Sequence, residues 1–187
     1  IARDFEKSLD YIPTPNAQGV FSKITNDYLS GIRSFNIIGA YGTGKSSFLW
    51  AFEKVINQKK DYFPINNFFK KKSGYEAINL VGDFASIIDV FAHEFNAGED
   101  YTTSSIIQAI DKVFKSRASE NKGLIIYVDE FGKFLEFAAK NNPEQELYFI
   151  QQLAEYVNDV DKDIFFITTL HQDFNSYSYG LTRSQRN

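Results

Sequence analysis

The stretch Gly39-Ala40-Tyr41-Gly42-Thr43-Gly44-Lys45-Ser46 fits the spacing G-x-x-x-x-G-K-[ST] in full and joins two segments of different periodicity. Before it, Phe35, Asn36, Ile37 and Ile38 make a short, mostly apolar run of the kind that leaves a buried parallel strand. After it, Phe48, Leu49, Phe52, Val55 and Ile56 recur at three- and four-residue intervals within residues 45–58, marking one face of a helix. A glycine-rich turn in this position is suited to an anion. Its backbone curls with N–H groups pointing inward, and the helix N-terminus adds partial positive charge, so a polyphosphate meets oriented donors. Lys45 is placed to neutralise the outer phosphates, and Ser46 to offer a hydroxyl to a divalent cation beside them. Gly39, Ala40, Tyr41, Gly42, Thr43, Gly44, Lys45 and Ser46, with Ser47 next in line, are the candidate phosphate contacts.

Outward from this loop, strand-like and helix-like segments alternate. A breaker cluster, Pro13-Thr14-Pro15-Asn16, precedes helical spacing over residues 17–29, which Ser30-Gly31 ends; residues 1–33 read as a lead-in segment and 34–187 as the core. Residues 57–74, with Lys59-Lys60 and Lys70-Lys71-Lys72, read as an irregular, basic, exposed connection. Residues 77–81 form a second candidate strand, followed by helical spacing over 84–95 and 102–118. Leu124-Ile125-Ile126-Tyr127-Val128 is the clearest buried strand and ends at Asp129-Glu130. Helical segments over 133–139 and 144–157 lead to a last strand over 164–168. This order predicts a three-layer α/β fold with a mostly parallel central sheet, with ligands at the carboxyl ends of the strands.

The 187 residues suit one domain, and 19 Phe with 11 Tyr predict an aromatic-rich core. A formal net charge of -4 argues against a generally basic, nucleic-acid-coating surface, so DNA is not indicated as a partner, although Lys70 to Lys72 leave it open. The absence of cysteine excludes disulfides, thiolate metal sites and a cysteine nucleophile. No apolar run is long enough to span a bilayer and no basic-then-apolar leader opens the sequence, so no membrane association and a cytoplasmic location are expected. With no methionine, a start at Ile1 and an end at Gln185-Arg186-Asn187, the sequence is expected to be part of a longer polypeptide, incomplete at its C-terminus.

Leu124 to Val128 followed by Asp129-Glu130 resembles a Walker B element. With the glycine loop, it makes the chain resemble a P-loop NTPase of the division that includes AAA+, STAND, RecA-like and ABC ATPases. The resemblance implies ATP with Mg²⁺ as ligands, Ser46 and Asp129 as the metal-binding pair, and Glu130 as the general base that polarises the attacking water, with Lys45 on the phosphates. Asp129-Glu130-Phe131-Gly132 also satisfies the GTPase pattern D-x-x-G, but the only Asn-Lys pair, Asn121-Lys122, precedes the acidic strand and lacks the aspartate of N-K-x-D. Glu130 beside the magnesium aspartate favours hydrolysis over transfer to a small-molecule acceptor.

The run Ile164-Phe165-Phe166-Ile167-Thr168-Thr169-Leu170-His171-Gln172 is similar to the sensor strand of this division, whose polar end faces the γ-phosphate. AAA+ and STAND members imply Thr168 or Thr169 for that role, ABC members His171 and RecA-like members Gln172. No LSGGQ-like signature accompanies the ABC reading. Arg183 and Arg186 stand where an arginine finger could come from, and residues 168–186 resemble stretches in large ATPases of bacterial phage-defence systems. The resemblance thus implies an ATPase module driving conformational change or assembly in a larger, antiviral-defence protein, acting in a homo-oligomer or complex. A STAND-like nucleotide switch with little hydrolysis and a DNA-dependent motor are the alternatives.

Overall fold

The structure, a computed structural model, describes residues 10–173 together with Ser176 and Tyr177. Thr14 Oγ1 accepts the Ala17 N–H at 3.2 Å and Pro15 takes the first helical position, which fixes the start of α1, Pro15–Leu29. The elements that follow are β1, Ser34–Ile38, α2, Lys45–Ile56, β2, Gly74–Val81, α3, Ile87–Glu94, and α4, Thr103–Ser119. After them come β3, Lys122–Asp129, α5, Gly132–Lys140, α6, Pro143–Val157, and β4, Ile164–Leu170. The four strands form one parallel sheet in the order β1-β4-β3-β2.

Alternation along the two central strands divides the core. Leu124, Ile126 and Val128 of β3, with Ile164, Phe166 and Leu170 of β4, pack with residues of α3 to α6. Ile125 and Tyr127, with Phe165 and Ile167, pack on the other face with α1 and α2. That second face is the richer in aromatics: the Phe165 ring stacks on Tyr28 at 4.0 Å and meets Phe52 edge-on at 5.2 Å between centroids.

Several stretches differ from the sequence-based expectation: β2 starts at Gly74 rather than residue 77, and three others differ for a clear physical reason. The basic connection between α2 and β2 is only partly exposed, because Phe63 and Phe69 are buried in the aromatic core while Lys59, Lys60, Lys70 and Lys71 point to solvent. The α3 helix starts at Ile87 rather than near residue 84, because Ser86 accepts the Asp89 N–H and the Glu146 carboxylate of α6 accepts the Ile87 N–H. The last strand runs past residue 168 because it keeps the ladder with β1, Ile37 opposite Thr169 and Ile38 opposite Leu170.

Phe165, fully buried and ringed by aromatic partners, is the test of this packing. Phe165→Ala is expected to cost about 3–5 kcal/mol in urea unfolding. A loss under about 1 kcal/mol would contradict a close-packed aromatic face.

Candidate functional site

Because all four strands are parallel, β1, β3 and β4 bring their carboxyl ends to one edge, and the candidate residues lie there. The Gly39 N–H donates to the Leu170 carbonyl at 3.0 Å, so the glycine loop leaves β1 still attached to the end of β4. Gly44 caps α2 with φ of +83°, a left-handed conformation that glycine adopts without strain, and it offers no side chain to the first-turn N–H groups. Those groups therefore remain available to an anion, with the helix dipole behind them.

Asp129 is the hub. Its Oδ2 accepts from the Ser46 hydroxyl at 2.5 Å, and its Oδ1 accepts from the Thr169 hydroxyl and from the Glu130 N–H at 3.0 Å. Period-two alternation puts Thr169 beside Asp129, since Val128 pairs with Thr168 in the β3–β4 register. Thr168 points to the opposite face, where its hydroxyl reaches Asn36 Oδ1 at 3.2 Å. Of the two threonines, it is Thr169, fully buried, that the structure brings to the acidic pair.

Glu130 itself has φ of +55°, which a non-glycine residue adopts at a cost. Its N–H is shared between Asp129 Oδ1 and Thr169 Oγ1, each at 3.0 Å, and its carbonyl accepts from the Lys133 N–H at 3.1 Å. Gly82, just past β2, makes room for this turn: its N–H donates to the Asp129 carbonyl at 2.7 Å, and a Cβ there would lie 2.1 Å from the Glu130 carbonyl oxygen. The Glu130 carboxylate pairs with Lys133 at 2.6 Å, and this hydrogen bond raises the Lys133 pKa. Lys133 and Gly82 escaped the sequence reading. The i,i+3 spacing of Glu130 and Lys133 was the one available signal for the first.

The Lys45 ammonium contacts the carbonyls of Gly39 and Ala40, the latter at 2.9 Å, and lies 3.2 Å from His171 Nδ1. Burial lowers its pKa, while Asp129 and Glu130 act in the other direction. Gln172 is exposed in the turn after β4. Arg183 and Arg186 lie outside the described residues, as does most of the 168–186 segment.

The Ser46 hydroxyl and Asp129 carboxylate are adjacent oxygen donors of the kind a hard divalent cation takes. No group of three His, Asp or Glu side chains among the described residues is placed to hold a metal ion, so such an ion would draw its remaining oxygens from a ligand or water. A separate groove of about 1190 Å³ lies between α3, α4 and α6, away from these residues. There the buried Glu146 carboxyl, pushed up in pKa by desolvation, is engaged in capping α3. No helix among the described residues is long and apolar enough to cross a membrane.

The fold defined by this sheet order and loop is the three-layer α/β fold of P-loop NTPases, in the arrangement of AAA+ P-loop domains. Among solved structures, it is similar to the Aeropyrum pernix ORC2 protein in its ADPNP-ADP complexes, with 16% identity and a TM-score of 0.57 over 98% of this chain and 48% of that one. It is also similar to C. elegans PCH-2, with 13% identity and a TM-score of 0.53 over 87% of this chain and 39% of that one. A third likeness is to Cdc6p from Pyrobaculum aerophilum, with 15% identity and a TM-score of 0.50 over 100% of this chain and 46% of that one. The chain thus spans less than half the length of these proteins, and at such identities the likeness is one of fold. No family model matches the sequence, and no curated protein does.

The close approach at Gly82 gives a test of the Glu130 turn. Gly82→Ala is expected to destabilise the protein by roughly 2–4 kcal/mol in thermal unfolding, because a backbone carbonyl must move. Gly19→Ala, in α1 with open space around its Cβ position, is expected to stabilise by about 0.5–1 kcal/mol. Equal effects at the two positions would refute the tight packing.

Proposed function

We propose that this chain is an ATP-binding and ATP-hydrolysing domain whose nucleotide cycle drives conformational change or assembly in a larger protein, within a homo-oligomer or complex. The observation that carries the reading is the 2.5 Å contact between Ser46 at the start of α2 and Asp129 at the end of β3. It joins the phosphate-binding half of the site to its acidic half. The choice of adenine nucleotide is supported by the Aeropyrum pernix ORC2 protein, a fold relative solved with ADPNP and ADP.

In this reading the α2 N–H groups and Lys45 hold the β and γ phosphates in line for attack. Glu130 accepts a proton from a water molecule as its oxygen bonds to the γ phosphorus and the bond to the β–γ bridging oxygen breaks. Thr169 keeps Asp129 and the Glu130 peptide in register through their shared hydrogen bonds. Ser46 and Asp129 would hold a Mg²⁺ ion, which would supply charge neutralisation on the phosphates.

A second reading, a nucleotide switch with slow turnover, draws support from the Glu130–Lys133 pair. An ammonium on the carboxylate competes with water for the base.

Lys45→Ala is expected to abolish ATP binding in calorimetry, whereas Glu130→Gln should keep binding and slow phosphate release by about 10²-fold or more. Thr169→Val should lower turnover about tenfold while Thr168→Val leaves it within about twofold, given their opposite faces. Unchanged turnover in the Gln variant would remove Glu130 from the mechanism, and a parent protein with negligible phosphate release would favour the switch.

A further inference from the structure

The hydrolytic reading leaves one contact of the glycine loop unused. The Tyr41 ring lies on the His171 imidazole, centroids 3.5 Å apart and planes 18° from parallel, although Tyr41 itself is 72% exposed. The His171 backbone is held from the other side, its N–H donating to the Tyr177 hydroxyl at 3.3 Å. Nδ1 of the same ring is 3.2 Å from the Lys45 ammonium. An ammonium only donates, so Nδ1 is the acceptor and the ring proton sits on Nε2. Nε2 is buried, with no hydrogen-bond partner among the described residues, and so is not presented to solvent where a phosphate arrives.

The other partners of Lys45 are loop carbonyls, so His171 is the contact that ties this side chain to the end of β4. Lysine has a long stem and loses rotamer freedom when its ammonium is fixed on a ligand, and a side chain already held loses less. We propose that His171, clamped by Tyr41, is a positioning residue that holds Lys45 preorganised for the outer phosphates of the nucleotide without touching them itself. The proposal rests on the nucleotide-site reading above.

Lys45 serves β as well as γ phosphate, so a positioning role weakens ATP and ADP alike, whereas a direct γ-phosphate contact weakens ATP alone. In calorimetry on the intact protein, His171→Ala should weaken both nucleotides about tenfold, and in steady-state turnover the loss should fall more on KM for ATP than on kcat. His171→Asn, which restores an acceptor, should recover most of the affinity; His171→Phe, which keeps only the stack, should not. Tyr41→Ala should show part of the same loss, and the double variant Tyr41→Ala/His171→Ala should lose less than the sum.

A loss confined to ATP, full affinity in His171→Phe, or parental affinity in all variants would each overturn the positioning role. If His171→Ala does not fold, as judged by its melting transition, the Asn and Phe variants carry the comparison. The two readings fail separately. Parental ATP binding by Lys45→Ala would sink the nucleotide site itself, while loss in that variant with parental binding in the His171 series would sink only this inference.

Discussion

The Asp129 carboxylate stands where the glycine-loop helix, the central strand and its neighbour converge, and the site depends on how its two oxygens are shared. One takes the Ser46 hydroxyl from α2, the other the Thr169 hydroxyl from β4 and the N–H of the next residue. A carboxylate with this many donors is fixed in orientation, and it fixes them in turn. The left-handed turn at Glu130 follows, since its N–H must reach back to Asp129 and Thr169 while Gly82 leaves room for its carbonyl. Asp129, Glu130 and the glycine-loop helix are thereby held by one hydrogen-bonded centre.

The rest of the fold supports that centre from below. The face of the sheet under α2 is filled by Phe21, Tyr28, Phe52, Phe69 and Phe165, with rings stacked, tilted or edge-on, which gives a stiff seat to the helix whose N-terminus follows the glycine loop. The opposite face joins α3 to α6 through a core richer in aliphatic residues. At the rim, where the glycine loop meets the end of β4, the Tyr41 ring stacks on His171.

Much of this was legible in the sequence because the signals were local. The strand, glycine turn and helix around Gly44 are adjacent in the chain, and β3 announces itself by an unbroken apolar run ending in Asp129-Glu130. Strand order was not legible, since β1 and β4 pair across more than half the chain. The choice between Thr168 and Thr169 turned on inter-strand register, which a single strand does not reveal. Phe63 and Phe69 were hidden among lysines because an irregular connection has no periodicity to mark its buried side. Gly82 lies far in sequence from the Glu130 turn it accommodates, so only the folded chain exposes their contact.

The most direct test is a crystal structure with Mg²⁺ and a non-hydrolysable ATP analogue. The polyphosphate should lie on the N-terminus of α2 with Lys45 on its outer phosphates, and the ion should contact Ser46 and lie on the Asp129 side. Nucleotide bound instead in the groove between α3, α4 and α6, or a glycine loop left without phosphate at saturating analogue, would contradict the assignment.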